Sequence, residues 1–203
     1  MIGIIDYGLG NVKAFANVYK MLDIPAIIVT KPHELIKVSR VIMPGVGAFD
    51  HAMKCLQDSG MREMLDEIVL HQQVPVLGIC VGMQMLTNSS EEGVSPGLKW
   101  INGDVKKIDS SFNKSIYVPH MGWNDVKPLN NNDLFRGLSD DARFYFLHSY
   151  YVHCQRNEDV IAVTNYGVEF ACAVNHENVF GVQFHPEKSH QYGIKLLKNF
   201  SEL

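Results

Sequence analysis

The stretch Val74-Pro75-Val76-Leu77-Gly78-Ile79-Cys80-Val81-Gly82-Met83-Gln84-Met85-Leu86 constrains this chain more than any other. Its apolar run from Val74 to Ile79, broken only by Pro75 and Gly78, reads as a fully buried strand. The spacing of Val81, Met85 and Leu86 reads as the start of a helix. A strand that enters a helix across Gly78-x-Cys80-x-Gly82 has the pattern of a nucleophile elbow. A side chain larger than hydrogen at 78 or 82 would crowd so sharp a turn. The turn lifts the middle side chain and sets it beside the N–H groups of a helix start. Here that side chain is a thiol, and a helix N-terminus favours the thiolate. The pattern alone leaves two readings open, a nucleophile or a small buried apolar cysteine.

The residues before the elbow predict its setting. Residues 1–6 read as a buried strand, Tyr7 to Asn11 as a turn, and Val12 to Leu22 as a helix with Val12, Phe15, Ala16, Tyr19 and Leu22 in register. Gly8-x-Gly10 after a strand suggests a dinucleotide loop, but the third glycine of that fingerprint would fall at Lys13. A tight turn is the better use of those glycines. Ala26 to Thr30 reads as a second strand, His33 to Val38 as a short helix, and Arg40 to Met43 as a third strand. The third strand ends in Pro44-Gly45-Val46-Gly47, a mobile backbone whose N–H groups could face a ligand. Phe49 to Leu56 and Met61 to Leu70 are helical. This alternation up to residue 87 predicts a doubly wound, mostly parallel sheet with helices on both faces, of the flavodoxin-like kind. Ligands bind such sheets beyond the C-terminal strand ends.

After residue 88 the pattern changes. Residues 89–97 read as a loop. Strands are expected over Lys99–Ile108, Ser115–Val118, Trp123–Val126, Phe144–Val152, Val160–Thr164, Glu169–Val174 and Val179–Phe184. Asn130 to Asp133 reads as a polar turn, and Asn175 to Asn178 as a hairpin connection. The second half is therefore expected to be an antiparallel β extension, closed by one helix over Gln191–Phe200. Without repeats or a linker, residues 1–203 read as a single domain.

A thiol nucleophile needs a base, and the base needs a partner that orients it. Gln183-Phe184-His185-Pro186-Glu187 supplies both. Pro186 biases His185 towards extended backbone. Residues i and i+2 of an extended chain point the same way, so Glu187 can accept from His185 Nδ1 and leave Nε2 for the thiol. These residues predict a Cys80-His185-Glu187 triad.

Composition excludes several other classes. The net charge is −4, with no basic block that would suggest nucleic acid. The N-terminus enters a strand directly, with no basic region or cleavage site of a signal peptide. No apolar run approaches the roughly 20 residues a membrane span needs. The expectation is a cytoplasmic protein. Cysteines 55, 80, 154 and 172 form no C-x-x-C and no expected disulfide framework. The histidines show no HExxH or H-x3-H spacing, so neither a metal nor another cofactor is expected.

Gly78-Ile79-Cys80-Val81-Gly82-Met83-Gln84 together with Phe184-His185-Pro186-Glu187 resembles the class I (triad) glutamine amidotransferases. More narrowly, the chain is similar to the glutaminase subunits of imidazole glycerol phosphate synthases, of histidine biosynthesis. That likeness rests on Asp6-Tyr7-Gly8-Leu9-Gly10-Asn11, Pro44-Gly45-Val46-Gly47-Ala48-Phe49, Ser89-Ser90-Glu91-Glu92, Pro119-His120-Met121-Gly122-Trp123-Asn124, Phe144 to Tyr151 and His185-Pro186-Glu187-Lys188-Ser189. The resemblance implies that L-glutamine is hydrolysed through a γ-glutamyl thioester on Cys80. It places oxyanion donors at Val81 and at the Gly45–Val46 strand, whose peptide has to reorient before it can donate. It puts Gly45, Gly47, Gln84, Ser149 and Tyr150 around the substrate. It also implies a (β/α)8-barrel cyclase partner in a one-to-one heterodimer, making imidazole glycerol phosphate and AICAR, with Asn11, Trp123, Tyr145 and Lys188 at the interface. Two other uses of the same chemistry stay open. One is a paralogue that feeds ammonia to cell-surface sugar synthesis, and the other is a stand-alone γ-glutamyl hydrolase.

Overall fold

A computed structural model describes residues 1–109, 116–139 and 141–203. The first half alternates as expected: β1 Ile2–Ile5, α1 Val12–Met21, β2 Ala26–Val29, β3 Arg40–Gly45, α2 Phe49–Asp58, α3 Arg62–Asp66, β4 Val76–Cys80 and α4 Val81–Met85. The short helix between β2 and β3 is a 3-10 helix, Pro32–Lys37. Beyond the elbow come β5 Ser89–Ser90, β6 Gly103–Lys107, β7 His120–Asp125, β8 Lys127–Pro128, β9 Arg143–His148, β10 Tyr150–Cys154, β11 Val160–Asn165, β12 Glu169–His176, β13 Val179–Val182 and α5 His190–Glu202.

The main sheet runs β2-β1-β3-β4-β13-β12-β10-β6-β5, with β11 beside β12 and β8 beside β11. From β2 to β13 every pair is parallel. β4 lies at the centre with all five residues buried, as its unbroken apolar run requires. Its neighbours are β3 and β13, in a register that pairs Gly45 with Cys80 and Ile79 with Val182. The loops after β3, β4 and β13 therefore leave one edge of the sheet side by side.

The structure corrects several expectations for the second half. β13 is not part of an antiparallel extension alone. The hairpin at Glu177-Asn178 turns β12 back, so that β13 runs antiparallel to β12 and parallel to β4. All four of its residues are buried, as an interior strand of a parallel sheet demands. Phe144–Val152 is not one strand. It breaks at Ser149: β9 pairs with β7 in a separate two-stranded sheet, whereas β10 pairs with β6 in the main sheet. Within Lys99–Ile108 only Gly103–Lys107 is strand. The amides of Leu98, Trp100 and Ile101 instead donate to the Met85 and Leu86 carbonyls and satisfy the end of α4. β5 lies in a stretch expected to be loop and pairs parallel to β6. Of the strand expected over Ser115–Val118, Ser115 lies outside the described residues, and 116–118 form no strand.

Asn11 caps α1, its Oδ1 accepting from the Ala14 N–H at 3.1 Å. Phe15 and Tyr19 form the buried face of α1. The Tyr19 hydroxyl donates to the Leu197 carbonyl at 3.2 Å, which ties α1 to α5 and satisfies a phenol that burial keeps protonated. No described helix is long and apolar enough to cross a membrane.

Candidate active site

Cys80 ends β4 and precedes α4 with φ +56° and ψ −113°, a backbone that L-residues rarely adopt. The flanking glycines explain how the turn closes. A Cβ on Gly78 would lie 2.6 Å from the Gly82 carbonyl oxygen, and one on Gly82 would run into the carbonyl of Met43 on β3. α4 has only five residues, so what it offers Cys80 is the free N–H groups of a first turn rather than a long helix dipole. Cys80 is buried, with Sγ 3.8 Å from the Leu147 carbonyl and 3.7 Å from Gln183 Nε2.

His185 arrives from the neighbouring strand. Its backbone is extended, as Pro186 predicts, but Pro186–Lys188 is a 3-10 turn rather than extended chain. The turn still brings the carboxylate round, and His185 Nδ1 lies 2.9 Å from Glu187 Oε1 with both side chains buried. β9 fixes this loop: the His185 N–H donates to the Tyr145 carbonyl at 2.8 Å. The Tyr145 N–H donates to Ser189 Oγ at 3.0 Å, and that hydroxyl donates to the His185 carbonyl at 2.6 Å. Burial alone would lower the His185 pKa. Hydrogen bonds to the Cys80 sulfur and the Glu187 carboxylate, together with the charges of both, outweigh it and raise the value to about 9. The imidazole thus holds its proton more tightly than a free histidine does. Two further buried thiols are shifted. Burial pushes Cys172 well up, and burial followed by the Asp159 charge pushes Cys154 up to about 12.

A cavity of about 260 Å³ opens beside Cys80 and His185. Val46, Gly47, Val81, Gln84, Ser149, Tyr150 and Lys188, all singled out from the sequence, line it. Gly45 does not. It is buried at the end of β3, where a Cβ would strike the Gly82 amide nitrogen, so its part is to let the elbow close against β3. Gly47 has φ +88° and open space on its side-chain face, and Val46 beside it is exposed. The Pro44 carbonyl at the root of this loop accepts from the buried Tyr7 hydroxyl at 2.6 Å.

Of the residues expected at an interface, Trp123 is 40% exposed, which excludes a core role. Its indole stacks on His190, centroids 5.2 Å apart, and meets Tyr145 edge-on. Lys188 Nζ lies 5.5 Å above the Tyr145 ring. Asn11 is the N-cap of α1.

Sequence reasoning missed Gln183, Glu92 and His148 as site residues. Gln183 is fully buried and joins Gln84 to Cys80, accepting from Gln84 Nε2 at 3.1 Å while its own amide faces the sulfur. Its only signal was its place two residues before His185. Glu92 lines the cavity, and its Oε2 accepts from the Phe49 N–H at 2.8 Å, bracing the segment that follows Gly47. His148 lines the cavity between Leu147 and Ser149.

A family model described as glutamine amidotransferase class-I matches residues 3–202. The chain is 58% identical to the imidazole glycerol phosphate synthase subunit HisH of Bdellovibrio bacteriovorus, over all of both chains. It is 46% identical to the imidazole glycerol phosphate synthase subunit HisH 2 of Methanococcus maripaludis, over 98% of each. Among solved structures, that of PurLQS from Thermotoga maritima superposes with a TM-score of 0.75, covering 98% of this chain and 96% of that one. At 14% identity, that likeness concerns the fold alone.

Proposed function

Since the chain belongs to the class-I glutamine amidotransferases, and within them to the HisH subunits of imidazole glycerol phosphate synthase, we propose that Cys80, His185 and Glu187 hydrolyse glutamine and that the ammonia passes to a cyclase subunit. The observation that carries this reading is the assembly of the three side chains at one edge of the sheet, with the 2.9 Å His185–Glu187 bond behind the thiol. The Cys80 thiolate attacks the glutamine Cδ. The carboxamide oxygen takes up the negative charge, and the intermediate collapses to a γ-glutamyl thioester. The C–N bond breaks as His185 gives its proton to the departing ammonia. His185, now neutral, takes a proton from water, whose oxygen attacks the thioester and frees glutamate and the thiolate.

The Val81 amide is the first oxyanion donor. The second comes from the Gly45–Val46 peptide once it turns, which the exposed Val46 and the unobstructed Gly47 allow. A missing donor costs about 2.7–4 kcal/mol in the transition state, enough to keep the chain nearly silent by itself. Gln84 and the Ser149-Tyr150 backbone hold the amino acid end of glutamine, and Glu92 puts negative charge on that wall for its ammonium group.

The whole chain acts as one amidotransferase domain in the cytoplasm, docked one-to-one on a (β/α)8-barrel cyclase that makes imidazole glycerol phosphate and AICAR. Trp123, Tyr145, Lys188 and Asn11 meet the barrel. The exposed apolar side chains of Met121, Trp123 and Leu147, carried by the β7–β9 sheet with Leu147 lining the cavity, suit such a surface. The test is glutamate release by the purified chain, alone and with the barrel subunit, combined with rescue of a histidine auxotroph lacking this subunit. A rate that rises with the barrel and restored growth are expected. Full activity alone would instead favour a stand-alone hydrolase. Failure to restore growth with the cognate barrel present would overturn the histidine destination and favour the paralogous one, cell-surface sugar synthesis.

A further inference from the structure

His120 and His148 form a buried pair that the chemistry above does not use. They lie opposite each other in the β7–β9 register, with His120 Nδ1 3.0 Å from His148 Nε2. His148 Nδ1 lies 2.8 Å from the Tyr150 carbonyl, and His120 Nε2 lies 3.3 Å from Asn124 Nδ2. Burial lowers the pKa of His120 to about 4. For His148, burial and the neighbouring His120 and His185 outweigh the Tyr150 bond and bring it to about 3. Both rings are therefore neutral at working pH, and each carries a single N–H.

That fixes the direction of every bond. The Tyr150 carbonyl can only accept, so His148 Nδ1 donates and its Nε2 must accept. His120 Nδ1 then donates and its Nε2 accepts, from the Asn124 amide. The same Asn124 amide also donates to the Asn165 carbonyl at 2.9 Å, which anchors the far end of the chain. At the near end the Tyr150 carbonyl accepts a second bond, from Gln84 Nε2 at 3.2 Å. Gln84 leads through Gln183 to the Cys80 sulfur. His120 cannot swing away, because it is stacked between Phe146 and Tyr166 with centroids 4.7 and 4.0 Å off.

We infer that His148, its ring braced from behind by His120, is the positioning residue that sets the Ser149-Tyr150 backbone for glutamine. The break between β9 and β10 falls at Ser149, whose carbonyl accepts from the Ile108 N–H at 3.0 Å, and His148 holds the next carbonyl, that of Tyr150, on the pocket side. This inference rests on the reading of the cavity as a glutamine site.

The experiment measures glutamine affinity by calorimetry in a Cys80→Ala background, and KM against kcat with Cys80 intact, using the full chain with its partner subunit. Three substitutions of His148 separate the possibilities. Leu removes the donor. Asn keeps a donor where Nδ1 stood and loses His120. Gln keeps reach to His120 and loses the Tyr150 carbonyl.

A buried carbonyl that loses one of two donors predicts affinity and KM worse by about tenfold for His148→Leu, with kcat changed less. His148→Asn should stay within about threefold of the parent, and His148→Gln should resemble Leu. Alkylation of Cys80 by iodoacetamide, which needs no amino acid pocket, should proceed at the parental rate in all three. Unchanged affinity in His148→Leu, a loss confined to kcat, or Gln outperforming Asn would each overturn the inference. If Leu does not fold, the order of Asn and Gln still decides. A Cys80→Ala chain that binds glutamine while the parent fails to hydrolyse it would sink the proposed chemistry and leave this test standing. A chain that binds no glutamine would sink both.

Discussion

The elbow and the two-stranded sheet are built on opposite principles. β4 and its neighbours are buried on every side, and Cys80 inherits its position from backbone packed against backbone at Gly78, Gly82 and Met43. β7 and β9 alternate. Phe144, Phe146, His120 and His148 turn inward, whereas Met121, Trp123 and Leu147 remain exposed. Yet this lighter element carries half the site. Tyr145 fixes the His185 loop, Leu147 borders the sulfur, and His148 leads to the pocket wall. The nucleophile belongs to the rigid core, while the base and the substrate wall hang on a sheet with one open face. A partner that covers that face can act on catalysis without moving Cys80.

The comparison breaks most sharply at the thiol itself. Cys80→Ala should lower glutamine-dependent turnover by at least about a thousandfold while synthesis driven by added ammonia persists. Residual glutaminase activity would mean that another group is the nucleophile. Next in size is the core beneath it. Leu77→Ala on β4 should cost about 2–5 kcal/mol of stability by chemical denaturation, because no solvent reaches the cavity it leaves. The open sheet should behave in the reverse way. Trp123→Ala should change stability by less than about 1 kcal/mol but weaken partner binding by about 2 kcal/mol or more. A large loss of stability with unchanged binding would assign the indole to the fold.

The smallest effect is on pH. His185, raised from 6.5 to about 9, carries the proton that departing ammonia needs, so kcat/KM should fall as pH rises through about 9. The linkage has the same sign. A folded value above the unfolded one stabilises the fold below pH 6.5, and that contribution is lost as pH rises through about 9. Glu187→Gln removes one of the two groups that raise it and should move the basic limb of the pH profile to lower pH. A limb that stays in place would show that Cys80 alone holds the proton.

What could be read from the chain follows the same division. Cys80, with its glycines, and His185, with Glu187, are local patterns, each set within a few residues. The parallel order of β1 to β4 follows from alternation along the chain. The reach of Gln183 to Cys80 spans 103 positions, and the pairing of His120 with His148 spans 28. Such contacts are set by sheet register, which no local spacing encodes. The division of Phe144–Val152 was hidden for a related reason. The residues favour strand throughout, and only the partners on each side of Ser149 distinguish two sheets. Glu187 reaches His185 although the backbone after His185 turns rather than extends, since both geometries bring the carboxylate to Nδ1.

The positive φ at Cys80 has a thermodynamic consequence. Holding a side chain in that backbone costs about 1–3 kcal/mol, which glycine would not incur. Glycine gives back about 0.5–1 kcal/mol through its freer unfolded chain. Cys80→Gly should therefore melt above the parent while doing no chemistry. Part of the fold's margin against unfolding is held on loan by the reaction, and a lineage that no longer needed the ammonia could reclaim it in one step.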